Sequence, residues 1–354
     1  MSTGKRLSLC SSSALLCLVL IAGQKPAHSF DSPQTKKAPA ISSLKQEVQA
    51  DMNFLASDEL RGRGSATRDE HLAALFAASQ FQSLGLEPGG NNGTYLQKAQ
   101  LPDPLPSRLQ KYLSKYEDVP RKETWNAIGI LRGSSRPDEV ILLTAHLDHL
   151  GVSATPQSDP IYNGADDDAS GTTAVLTLAH LLASGPRPKR TIVFALFGSE
   201  EIGGFGNQAF LAHPPVPLSN IIANLEFEMI GRPDSAVPAG TLWLTGFDRS
   251  NLGPELAKHG AHLMNDPHPK EQFFQRSDNY ALARQGIIAH TVSSFGLHHD
   301  YHEPSDEVRT IDFTHMTNAI HSMVGPIRWL ADSTFKPAWN PGGNPQTNPP
   351  SKQP

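Results

Sequence analysis

Two almost continuous apolar runs, Val140–Ala145 and Thr191–Phe197, constrain this chain more than any other feature. A strand that is apolar at nearly every position has no solvent face, so it belongs inside a sheet covered on both sides. Between the runs, Ala174, Val175, Leu178, Leu181 and Leu182 follow the spacing of one helix face, and Ser170 stands where an N-cap is expected. Strand, helix, strand in that order predicts an α/β fold: a single globular domain with a mostly parallel central β-sheet flanked by helices. Further β-rich runs lie at 221–229, 241–245 and 287–292. Helical periodicity marks 44–55 and 69–84, and Gly85 is a reasonable stop for the second.

The polar residues of interest cluster where these strands end, and ligands of open α/β sheets bind at strand C-termini. The first strand runs into Thr144-Ala145-His146-Leu147-Asp148-His149. A ligating imidazole needs an acceptor on its second nitrogen, which Asp148 can supply. Asn163-Gly164-Ala165-Asp166-Asp167-Asp168-Ala169-Ser170-Gly171 places three mutually repelling carboxylates at a loop-to-helix junction, where a cation would neutralise them. Gly198-Ser199-Glu200-Glu201 follows the second buried run. Adjacent side chains on extended backbone diverge, so one carboxylate can bind metal while its neighbour handles protons. Glu226 and Glu228 interrupt an apolar run at a spacing of two, which puts both on one strand face and does not choose between them. The fifth segment, 298–306, is dense in His, Asp and Glu. Any one of these segments is ordinary on a protein surface. Together, without a cysteine among them, they point to a metal centre of zinc type, with manganese or cobalt as possible substitutes.

Both cysteines of the chain, Cys10 and Cys17, fall in an N-terminal stretch that reads as an export signal. Lys5 and Arg6 precede the apolar Ala14–Ala22, and Ala27-His28-Ser29 offers small residues for cleavage before Phe30. The expected organisation is a signal peptide at 1–29, a flexible leader at 30–42, a folded body at 43–331 and a disordered Pro/Asn/Gly-rich tail at 332–354. That arrangement predicts an exported protein, periplasmic or extracellular, with no stable membrane association after signal cleavage. The net charge of −5 argues against nucleic acid as a partner.

The set AHLDHLG, NGADDDASG, GSEE, EMIG and DYHEPSD resembles the secreted co-catalytic di-zinc aminopeptidases of metallopeptidase family twenty-eight, the bacterial leucyl aminopeptidase-like group. The upstream FLASDELRGRGSATRDEHLAALFAASQFQSLGLEPGG and Ser277-Asp278 in FFQRSDNYALARQGI resemble further shared stretches, so the likeness covers roughly residues 44–330. It implies a zinc-dependent exopeptidase fold of the phosphorylase/hydrolase-like type. It also implies two Zn2+ per chain, with Asp166 bridging them. His146 and Glu228 would complete one ion's protein ligands, Glu201 and His302 the other's, and Glu200 would be the general base. Asp148 would stand behind the His146 site. Glu228 occupies a position that is most often Asp in the family, one methylene shorter. Met229 and Tyr301 flank two of these residues and are candidates for a substrate pocket.

The function implied is a metalloaminopeptidase acting on peptides with a free N-terminus, by metal-activated water and a Glu base. Alternatives on the same fold are a carboxypeptidase, for which Arg276, Arg284 and Arg309 are candidate carboxylate readers, or a glutaminyl cyclase. A non-catalytic binding protein is a further alternative, but such a protein would be expected to have lost ligands or base.

Overall fold

The computed structural model describes residues 41–347. The signal at 1–29 and most of the leader lie outside the described residues, the first of which belong to a helix starting at Ile41.

The strands in chain order are β1 (Glu87–Pro88), β2 (Leu96–Gln100), β3 (Glu123–Leu131), β4 (Arg136–His146), β5 (Gly151–Val152), β6 (Ile161–Tyr162), β7 (Arg190–Phe197), β8 (Ile221–Phe227), β9 (Leu242–Leu244), β10 (Leu263–Asn265) and β11 (Ala289–Ser293). The helices are α1 (Ile41–Leu55), α2 (Arg68–Ser83), α3 (Ser107–Leu113), α4 (Gly171–Ala183), α5 (Phe205–Ala212), α6 (Leu252–Lys258), α7 (Asp278–Ala283) and α8 (Phe313–Asp332). β5 and β6 form a small separate ribbon; the other strands form one sheet in the order β1-β3-β7-β4-β8-β11-β9-β10, with β2 also on β3.

The sheet is mixed rather than mostly parallel. β7-β4-β8-β11 is its parallel centre, whereas β3 meets β7 antiparallel, β11 meets β9 antiparallel, and β1 and β2 both pair antiparallel with β3. The apolar runs identify the parallel centre correctly, because β7 is buried at every position and β4 from Val140 onward. The antiparallel wings alternate less cleanly, and their pairing depends on partners far along the chain. Register carries the site: Ile141 lies opposite Ile192, so His146 meets Phe197 at the same end of the sheet.

α1 buries Leu44, Val48, Met52 and Leu55, a single stripe facing the core. α2 starts at a Thr67 cap whose side chain accepts from the amides of Asp69 and Glu70. α4 is buried along most of its length. Ser170 does not cap it: the residue is itself helical, and its hydroxyl donates to the Asp166 carbonyl at 2.7 Å. Gly171 is required there because a Cβ would stand 2.0 Å from the Phe227 carbonyl oxygen.

The expected disordered tail is ordered through residue 347. The Trp339 indole donates to the Gly286 carbonyl at 3.1 Å, and backbone bonds Asn251 to Ala338 and Asn340 to Arg249 strap the segment to the body. Its composition points to disorder, but one aromatic and a few main-chain bonds are enough to dock a Pro-rich strand.

Candidate metal centre

Four neighbouring strands deliver the polar cluster to the C-terminal end of the sheet's parallel centre. His146 ends β4, Glu200 and Glu201 follow β7, Glu228 follows β8, and the loop after β11 carries His298, Asp300 and His302. The turn at 165–170, just before α4, supplies the aspartates.

Asp167, not Asp166, occupies the centre. Its Oδ1 lies 3.2 Å from His146 Nε2, and its Oδ2 lies 3.1 Å from His302 Nε2 and 3.7 Å from His149 Nδ1. Glu228 joins His146 and Asp167 in one group of mutually adjacent donor atoms; Glu201, His149 and Asp167 form a second. The two oxygens of one carboxylate therefore serve two groups, which is the geometry of a bridging ligand.

Asp166 faces another way. Its Oδ1 accepts from the Gly231 amide at 2.7 Å, and its Oδ2 meets His298 Nε2 at 2.9 Å. Asp168 ties the turn to its neighbours, with Oδ1 accepting from the amides of Gly171 and Met229, and Oδ2 from that of His146. Nothing in a run of three identical residues distinguishes these orientations. The turn's irregular backbone does, by sending successive side chains in different directions.

Asp148 lies behind the cluster. It accepts from the amides of Glu200 at 2.9 Å and Glu201 at 3.3 Å, and from the Ser65 hydroxyl at 2.5 Å, while His146 Nδ1 is 3.1 Å from its carbonyl oxygen. Glu226 takes no part in the cluster, because its carboxylate accepts from the Asn279 amide at 2.6 Å and the Thr291 hydroxyl. Glu228 has already left the strand at Phe227, which separates the two acidic side chains despite their spacing.

Two buried groups from the upstream stretch, away from the strand-end segments, set the frame. Arg63 is 1% exposed, and its guanidinium donates to the carbonyls of Leu55, Leu147, Asn163 and Gly164 at 2.6–2.9 Å, joining the loop after β4 to the loop before α4. Glu70 accepts from the Ala66 and Trp125 amides and from the hydroxyls of Thr124 and Ser199. Burial, then the charge of Asp148, pushes it up to about 8. Ser199 has a left-handed backbone (φ 57°), an uncommon state for a side-chain-bearing residue, and Glu70 clamps that turn immediately before Glu200. Reading motifs at strand ends passes over both residues; the one signal that points to them is the upstream stretch FLASDELRGRGSATRDEH, which contains both but does not single out either side chain.

The electrostatics separate the carboxylates. Burial alone would raise Asp167, but hydrogen bonds to His146 and His302 and the nearby His149 hold it well below the usual range. Glu201 is held at about 2, because His302 and His149 outweigh both burial and the charge of Asp167. Glu200 goes the other way: burial, then the nearby Asp278, Glu201 and Glu228, raise it well above an ordinary carboxylate, with His146 opposing. Groups whose environments push them apart in this way divide acid and base roles.

Beside Glu228 a cavity is lined by Met229, Trp243, Phe273, Phe295 and Tyr301, with Arg276 at its edge. Met229 and Tyr301 thus meet in one pocket, and Tyr301 stacks on His302 at 3.9 Å between ring centroids. Trp243, Phe273 and Phe295 reach it from elements distant in sequence. Phe274 instead packs with His290 and Trp339.

Among known proteins, the chain is 29% identical over 201 residues to a vacuolar membrane protease of Clavispora lusitaniae, a match covering 56% of this chain and 18% of that protein. The chain therefore spans less than a fifth of that relative's length. Among solved structures, a zinc aminopeptidase from Bacillus subtilis superposes with a TM-score of 0.59 at 17% identity, over 82% of this chain and 95% of that one. A glutaminyl cyclase from Porphyromonas gingivalis superposes with a TM-score of 0.57, also at 17% identity, over 81% and 97%. Likeness at this identity concerns the fold, and one fold carries more than one reaction. The family model for peptidase family M28 matches residues 126–324, which contain His146, Asp167, Glu200, Glu201, Glu228 and His302, and on that match the chain belongs to peptidase family M28.

Proposed function

We propose that this chain is a zinc-dependent exopeptidase that hydrolyses the N-terminal peptide bond of its substrates. The observation that carries the reading is Asp167, whose two carboxylate oxygens face two separate sets of His and Glu donors. Imidazole and carboxylate donors without thiolate fit zinc. His146, Asp167 and Glu228 would hold one ion, and Glu201 and His302 would share Asp167 with a second. Bound zinc supplies Lewis acidity, polarising a carbonyl and easing deprotonation of water.

The chain's own residues supply the rest. Glu200, raised by its buried acidic surroundings, takes a proton from the attacking water and passes it to the leaving amine. Asp148 fixes the backbone that aims Glu200 and Glu201. The apolar cavity beside Glu228 receives the side chain of the N-terminal residue, and the carboxylates around it favour a free ammonium group. Export of the protein, periplasmic or extracellular, belongs to the same proposal. Among the described residues no helix is long and apolar enough to cross a membrane.

The test compares an unblocked leucyl anilide with its N-acetyl counterpart. The expected outcome is cleavage of the free amine only, with Glu200→Gln lowering kcat by about 10²–10⁴ while retaining metal. Rapid cleavage of the acetylated substrate, or full turnover by Glu200→Gln, would overturn the reading.

A further inference from the structure

We propose that His149 is itself a metal ligand, so that the two ion sites differ: one has four protein donors and the other three. The proposal rests on the zinc reading above and adds a residue to it.

The argument is geometric. In a tetrahedral zinc site the arms are about 2.0–2.2 Å, so neighbouring donor atoms stand roughly 3.3–3.6 Å apart. Around Asp167 Oδ2 and Glu201 Oε1 the structure gathers two imidazole nitrogens. His302 Nε2 lies 3.1 Å from the Asp167 oxygen and 3.3 Å from the Glu201 oxygen. His149 Nδ1 lies 3.7 Å and 2.9 Å from the same two atoms. These four edges scatter about the tetrahedral value, and His149, Asp167 and Glu201 form a group whose donor atoms all lie within 4.8 Å of one another.

His149 is also built into place. The residue is fully buried, and its amide donates to the Arg63 carbonyl at 3.1 Å. Gly164 has φ 59°, and a Cβ on it would stand 2.5 Å from His149 Cγ, so the neighbouring loop reserves space for this ring. His149 Nε2 is buried without a hydrogen-bond partner among the described residues, which leaves Nδ1 as the nitrogen that faces the donor group. A site closed by four protein donors suits a firmly held ion, whereas His146, Asp167 and Glu228 leave a position open for water or substrate.

The experiment uses the metal-depleted full chain, titrated with Zn2+ against a competing chelator and with Co2+ followed by absorption. The wild type should bind two ions with separable affinities. His149→Ala should weaken one site at least about 100-fold, beyond the roughly 10–100-fold expected for loss of an orienting partner, and leave the other site intact. Metal-free melting curves report whether that variant folds. His149→Cys provides the measurement that a structural role cannot mimic: a thiolate in the coordination sphere adds a sulfur-to-cobalt charge-transfer band over the wild-type spectrum. Two ions bound normally by both variants, without a new band, would overturn this proposal while leaving the zinc reading intact. A wild-type chain that binds no metal would overturn the zinc reading and, with it, the role of His149.

Discussion

Three consecutive aspartates have three different roles here, and the difference is testable residue by residue. Asp167 supplies donors to both groups, so on the proposed two-zinc reading Asp167→Asn should abolish retention of both ions. Asp166 acts through the Gly231 amide and His298, one step removed from the cluster. Asp166→Asn keeps an oxygen for the Gly231 amide but loses the charge opposite His298, and should weaken metal binding by about 10–100-fold without abolishing it. Metal content after exhaustive dialysis, with competition titration, separates the two. Equal loss in both variants would place Asp166 among the ligands after all.

Among the elements, α1 and α4 show how a helix can be well packed and still carry a cost. Glu47 on α1 meets His180 on α4 at 2.8 Å. One turn further along α1, Asp51 is pushed up from 3.8 to about 7, by burial first and then by Glu47. The folded state therefore holds a proton that the unfolded chain has released between those two values. For such a group stability falls as pH rises from about 4 to about 7 and stays reduced above that. Asp51→Asn should raise the melting temperature by several degrees at pH 8 and by clearly less at pH 5, as measured by paired thermal melts. An equal gain at both pH values would count against a titrating Asp51.

For the whole molecule, the site depends on the parallel centre of the sheet being assembled with its strand ends in line. The segment after α8 contributes to that assembly. Trp339 packs against Phe274 and His290 and donates to the Gly286 carbonyl just before β11. Because the indole is only partly buried, Trp339→Ala should cost on the order of 2 kcal/mol, less than the 3–5 kcal/mol typical of a fully buried aromatic. Urea unfolding measures this directly, and an unchanged midpoint would mean that the segment merely rests on the surface.

Local pattern determined a good deal about this protein. The continuous apolar runs of β4 and β7, the stripe of α1 and the spacing of α4 are consequences of burial on known faces, so they are readable one segment at a time. The candidacy of His146, Glu200, Glu201, Glu228 and His302 needed the five segments taken together and the family resemblance, because each segment alone is ordinary and spacing does not choose between Glu226 and Glu228. What only the tertiary structure decided is orientation. The choice of Asp167 over Asp166, the approach of His149 to Glu201, and the service of Arg63 and Glu70 each depend on where a side chain points across contacts tens of residues apart or more. The antiparallel wings of the sheet and the docking of Trp339 are likewise long-range pairings. Periodicity records which face of an element is buried, but not which neighbour will cover it.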